Sequence, residues 1–141
     1  MARDILAVLV GVVIGVLSIG IFESGIHQMF PVPQEVTQAI ENQDSLSAMV
    51  NMPAELLLWI LAAYALGSFI GGFSASLVGK RLMVSLVAGM ILMLGGAINV
   101  FMIPHPFWFI LSSLSVYVPA GLIGGFFGLK ISNFKIFKSK I

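Results

Sequence analysis

Long apolar stretches alternate with short polar breaks along the chain, and the breaks fall where proline and charge cluster. Four stretches, about 5–30, 54–79, 82–103 and 107–132, are long enough to cross a bilayer, since a spanning helix needs about 20 apolar residues. The breaks are Pro31-Val32-Pro33, Asn51-Met52-Pro53, Lys80-Arg81 and Pro104-His105-Pro106. Within the runs apolar side chains occupy every helical face, the mark of helices surrounded by lipid rather than half-covered by water. The pattern predicts an all-α polytopic membrane protein, one domain over 1–141. An outer loop covers 31–53 and a basic tail 133–141.

Composition sharpens this picture. Of 141 residues, 59% are hydrophobic and 9% charged, where a soluble chain carries about 25% charge. The polar surface is too small to face water. Absence of cysteine excludes disulfides, thiolate metal sites and thiol catalysis. A net charge of +1 gives no reason to expect a nucleic-acid partner. The first run, Ile5 to Phe22, is too long for a signal core and has no small-residue cleavage site after it, so it is expected to stay as a span.

Charge then orients the four spans. Arg3, Lys80, Arg81, Lys130, Lys135, Lys138 and Lys140 fall on one side, with Asp4 as the only acid among them. Glu23, Glu35, Glu41, Asp44 and Glu55 fall on the other. The positive-inside rule makes both termini and the Lys80-Arg81 turn cytoplasmic. The 31–53 loop and the PHP turn face outward.

The PHP turn is therefore the tip joining the third and fourth spans. Pro104 ends one helix and Pro106 suits the first turn of the next. Phe107, Trp108, Phe109 and Trp59 belong at headgroup depth. In the outer loop, Val36, Ala39 and Ile40 suggest a short amphipathic turn or two, and Asp44 is placed to cap a short helix over 45–51. That loop reads as a lid, a partner contact or an ordered connector. Lys130, Lys135, Lys138 and Lys140, with Phe134 and Phe137, suit anionic lipid headgroups.

Two stretches echo one another. YALGSFIGGF starts at Tyr64 and YVPAGLIGGF at Tyr117, each with Ile-Gly-Gly-Phe six residues after its tyrosine. Pro53 and Pro106 precede them at a common offset, and Met29–Pro33 echoes Met102–Pro106. The chain reads as two parallel copies of one helical hairpin, the first carrying the longer outer loop. Small residues mark helix-packing faces: Gly11 and Gly15 on the first span, Gly67, Gly71 and Gly72 on the second, Gly121, Gly124, Gly125 and Gly128 on the fourth. Such strips let backbones approach where lipid removes the hydrophobic drive. They serve contacts within one bundle or between subunits. Pro119, inside the fourth span, is expected to bend it.

Polar groups inside spans are costly and therefore functional candidates. Glu23 and His27 stand four apart and share a face. Glu55 lies in the first turn of the second span, where a carboxylate suits the helix dipole. Asn99 and His105 complete an outer set: a candidate polar vestibule for a cation, a proton or a small solute. The plainer reading has these groups paired or solvated at the top of the bundle. No metal site or cofactor is specified. Only Gly, Ser, Tyr and Pro occupy the membrane centre, where coupled carriers usually hold an ionisable group. The serines there have no His or acid at their depth to serve as a base, so enzymatic activity is not expected.

The segment GGAINVFMIPHPFWF, with YALGSFIGG and YVPAGLIGG, resembles a family of small bacterial four-helix integral membrane proteins of unassigned activity. The resemblance covers most of the chain. It implies a four-helix fold in a bacterial inner membrane and carries over no catalytic or binding residue. Two functions are open: an accessory subunit assembling with itself or another membrane protein through Gly-rich faces and the acidic loop, and a small transporter or channel with an outward vestibule. Membrane lipid is the expected surrounding in both.

Overall fold

In a computed structural model the chain is helical throughout its regular segments. The structure describes residues 1–103 and 105–138, without the side chains of Ser45, Val50, Phe101 and 134–138. The turn proline Pro104, the tail residue Lys140, and the side chains of Lys135, Lys138, Phe134 and Phe137 lie outside the described residues. In chain order the helices are α1 (Ala2–Met29), α2 (Gln34–Glu41), α3 (Ser45–Asn51), α4 (Ala54–Gly79), α5 (Leu82–Met102) and α6 (Phe107–Lys138). α1, α4, α5 and α6 are each long and apolar enough to cross a membrane. The apolar runs become helices because lipid offers no partner for backbone N–H and C=O groups, leaving each segment to satisfy its own.

Helix limits follow local chemistry. Pro53 sits immediately before α4, where its missing N–H costs nothing. α4 ends at Lys80, whose left-handed backbone (φ 57°) lets its N–H reach the Ser76 carbonyl. In the outer segment Asp44 caps α3, accepting from the Ser47 N–H at 3.1 Å and the Ser47 hydroxyl at 2.6 Å. These bonds hold its carboxyl below the usual range. α2 and α3 pack on one another with Val36, Ala39 and Ala48 buried, while Ile40 is exposed. α6 runs unbroken through Pro119 and on to Lys138, beyond the span expected to end near 132.

α4 is the centre of the bundle and touches α1, α5 and α6; among the described residues α1 and α6 make no mutual contact. Its small residues form two separate faces. Toward antiparallel α1, Gly71 and Ala75 meet Gly11, and Gly67 meets Gly15 and Ile19. Toward α6, Gly72 meets the Gly121 backbone, and the Phe69 and Phe73 carbonyls meet Gly124 and Gly128. A Cβ on Gly72 would occupy the place of the Gly121 carbonyl oxygen. All nine glycines named from the sequence as packing residues are buried by neighbouring helices of the same chain. The contacts place α4 and α6 parallel, with Tyr64 stacked on Tyr117 at 5.4 Å between ring centroids.

Serines join the inner half. Ser85 donates to the Gly72 carbonyl at 2.7 Å and pairs with Ser76 at 2.5 Å; Ser68 donates to the Tyr117 carbonyl at 2.5 Å. Each is fully buried, so these bonds are what make a hydroxyl tolerable there. At one end of the bundle Arg81 meets Asp4 at 3.2 Å, tying the start of α5 to the start of α1.

Candidate functional site

The half of the bundle nearer the α5–α6 turn opens between α1 and α5 in a groove of about 410 Å³. Its wall is largely aliphatic, from residues such as Val12, Val16, Ile19 and Leu92. Four polar side chains converge in it, one from each spanning helix: Glu23 from α1, Tyr64 from α4, Asn99 from α5 and Tyr117 from α6. The groove exists because Gly20 and Gly95 leave open space where a side chain would stand. Gly96 is different: a Cβ there would press on the Tyr117 ring and hydroxyl, so its absence is what admits the phenol.

The polar groups are ordered as a set. Asn99 Nδ2 donates to the Tyr64 hydroxyl at 3.2 Å. That hydroxyl accepts, and Glu23 lines the same groove beside it. Tyr64 and Tyr117 are almost fully buried except at this surface. Their stacked rings line the groove beside the Glu23 carboxylate, the group there that attracts cations. Among the described residues, Glu23 is the only ionisable group lining the groove apart from the two phenols.

Above the floor the aromatic column continues. Phe109 packs on Tyr64 at 6.3 Å, and His105 stacks on Phe109 at 5.0 Å. His105 is 7% exposed, and its Nδ1 lies 2.7 Å from the Ile103 carbonyl. A carbonyl only accepts, so Nδ1 carries the proton and the neutral ring has its acceptor at Nε2. Burial holds this imidazole below the ordinary histidine range, partly offset by the Ile103 bond and the Glu23 charge. The α5–α6 turn thus folds its histidine into the bundle as an aromatic cap.

Of the five vestibule candidates, Glu23 and Asn99 line the groove and His105 lies in the column above it. His27 is exposed on α1 and forms no ion pair with Glu23 among the described residues. Glu55 is exposed in the first turn of α4. No group of three or more His, Asp or Glu side chains that would hold a metal ion is found among the described residues. Sequence reasoning missed Tyr64 and Tyr117 as site residues. The signal was present: they are the only two tyrosines, one at the head of each repeated stretch.

Toward the middle of the bundle the groove is closed, although it runs on along the α1–α5 surface to Val12. Leu92 closes on Gly15 and Gly71, and Ser68 is spent on the Tyr117 carbonyl. The other serines named earlier also bond to the backbone: Ser74 to Ile70, Ser112 to Trp108, Ser113 to Ile110 and Ser115 to Leu111. The chain matches no family model, no curated protein and no solved structure.

Proposed function

We propose that the chain is a non-enzymatic membrane protein that binds a cation or small cationic solute in an outward-facing vestibule formed by Glu23, Tyr64, Asn99 and Tyr117. The reading places it in a bacterial inner membrane, both termini cytoplasmic, as two duplicated hairpins. The observation that carries it is convergence: four spanning helices each send one polar side chain into one groove. A carboxylate at membrane depth is costly unless it is used or neutralised, and among the described residues Glu23 has no basic partner there. Binding is the part the geometry supports; passage across the membrane requires the floor at Leu92 and Ser68 to open.

The accessory-subunit reading rests on the acidic outer pair α2–α3, whose Glu35, Glu41 and Asp44 are exposed. It is weakened by the burial of the glycine faces within the bundle.

Thermal unfolding of the detergent-purified protein against sodium, magnesium, methylammonium, tetramethylammonium and glucose tests the choice. A saturable rise in Tm with a cation, absent in Glu23→Gln, is expected. Flat Tm in every solute, with a second membrane protein copurifying stoichiometrically, would make the accessory reading the better one.

A further inference from the structure

The vestibule does not end at the polar cluster in the direction of the lipid. A second groove, of about 490 Å³, lies between the same two helices nearer the Asp4–Arg81 end, and Ile91 lines both. Together they form one crevice along the α1–α5 seam. Val8, Val12 and Val16 wall it on α1, and Val87, Ile91 and Gly95 on α5. The crevice is aliphatic along its length, with the Glu23 carboxylate at one end and the Asp4–Arg81 ion pair at the other.

Depth fits an amphipathic occupant. α1 has 28 residues, about 42 Å at the standard helical rise, against a hydrocarbon layer about 30 Å thick. Centred in the membrane, it extends about 6 Å beyond the hydrocarbon at each end by the same figures. Glu23 precedes Met29 by six residues, or about 9 Å. The carboxylate therefore lies just inside the hydrocarbon boundary, where the head of a membrane-dissolved amphiphile meets its chain.

The head must be cationic. Every Lys and Arg of the sequence lies outside the outer half of the bundle, so a phosphate or sulfate placed beside Glu23 would meet a like charge and no counter-charge. An ammonium would meet the carboxylate and the Tyr64 and Tyr117 hydroxyls.

Building on the vestibule reading, we infer that the α1–α5 seam seats a single-chain cationic amphiphile, its ammonium at Glu23 and its aliphatic chain running inward past Val16 and Ile91. This identifies the solute class as one that enters sideways from the bilayer. The Gly20 and Gly95 openings are the door through which the head passes.

The test uses the whole protein in nanodiscs of neutral lipid and a dodecyltrimethylammonium probe carrying a diazirine at mid-chain. After irradiation, labelled peptides are mapped by mass spectrometry, with a sulfate-headed probe of the same chain as control. Labelling concentrated on the α1–α5 seam, at least tenfold lower in Glu23→Gln and absent from the seam with the sulfate probe, is the expected result. Val87→Trp, which fills the lower crevice, is expected to cut seam labelling at least fivefold. Labelling spread over all lipid-facing helices, or unchanged in Glu23→Gln, overturns the proposal, as does a seam found cross-linked to a second copy. Tetramethylammonium separates the two readings. If it raises Tm through Glu23 while the seam stays unlabelled, the vestibule stands and the amphiphile seat falls. If neither probe binds, both fall.

Discussion

Tyr64 on α4 and Tyr117 on α6 stack at 5.4 Å with their planes 23° apart, and each heads one of the two Ile-Gly-Gly-Phe stretches. Only the Tyr64 hydroxyl accepts from Asn99, so the two phenols are equivalent in sequence and unequal in the groove. Tyr64→Phe keeps the ring and strands the Asn99 donor. A loss of about 1 kcal/mol is expected, the usual worth of an interhelical bond in lipid, read by unfolding in mixed micelles. Tyr117→Phe, which breaks no protein hydrogen bond identified here, is expected to cost less.

Gly72→Ala is expected to destabilise the protein by about 1–3 kcal/mol, the range for overpacking a close contact. The new methyl would meet the Gly121 carbonyl, which is backbone and has nowhere to go. Gly25→Ala is the matched control on α1, where a Cβ meets nothing within 4 Å. It is expected to gain about 0.5–1 kcal/mol by helix propensity. Equal effects in the two variants would refute the packing assignment.

His105 gives a pH dependence with a definite sign. Burial lowers its folded-state pKa below the ordinary value of 6.5, so below that pH the unfolded chain binds a proton that the folded one refuses. Stability is full above about 6.5 and falls as pH drops through the window beneath it. His105→Phe keeps a ring against Phe109 and removes the proton site. The slope of Tm between pH 7 and 5, compared between the two proteins, is expected to flatten in the variant. Glu23 is present in both proteins, so the difference isolates the histidine.

Lys80 closes α4 with a left-handed backbone that glycine adopts without cost. Lys80→Gly is expected to stabilise the fold by about 1 kcal/mol, the lower end of what such a conformation costs other residues. Chemical denaturation in micelles measures it.

The spans were legible because lipid imposes one rule: Pro53 and Lys80 mark both limits of α4, and no other arrangement satisfies its backbone. Asp44 announced α3 for a similar local reason, its carboxylate being a ready acceptor three residues before the Ser47 N–H. What could not be read was direction. α4 is apolar all round, so nothing local says that Gly71 faces α1 while Gly72 faces α6; only the partners decide. His105 was ambiguous for the same reason. A histidine between prolines belongs equally to water or to a ring stack, and Phe109 four residues on settles it. The groove was half legible: carboxylate and amide stand out in an apolar run, whereas a tyrosine among phenylalanines does not.

The two faces of α4 also set an order on assembly. α4 is the second span to leave the ribosome, and its partner α1 is already in place. The Gly71–Gly11 contact needs nothing synthesised later, while the Gly72–Gly121 contact waits for the last helix. A nascent chain halted after Gly79 holds one finished interface and one bare backbone strip, which α6 alone fits. The floor of the groove, made where Tyr117 arrives on Tyr64, thus cannot form until α6 has been made.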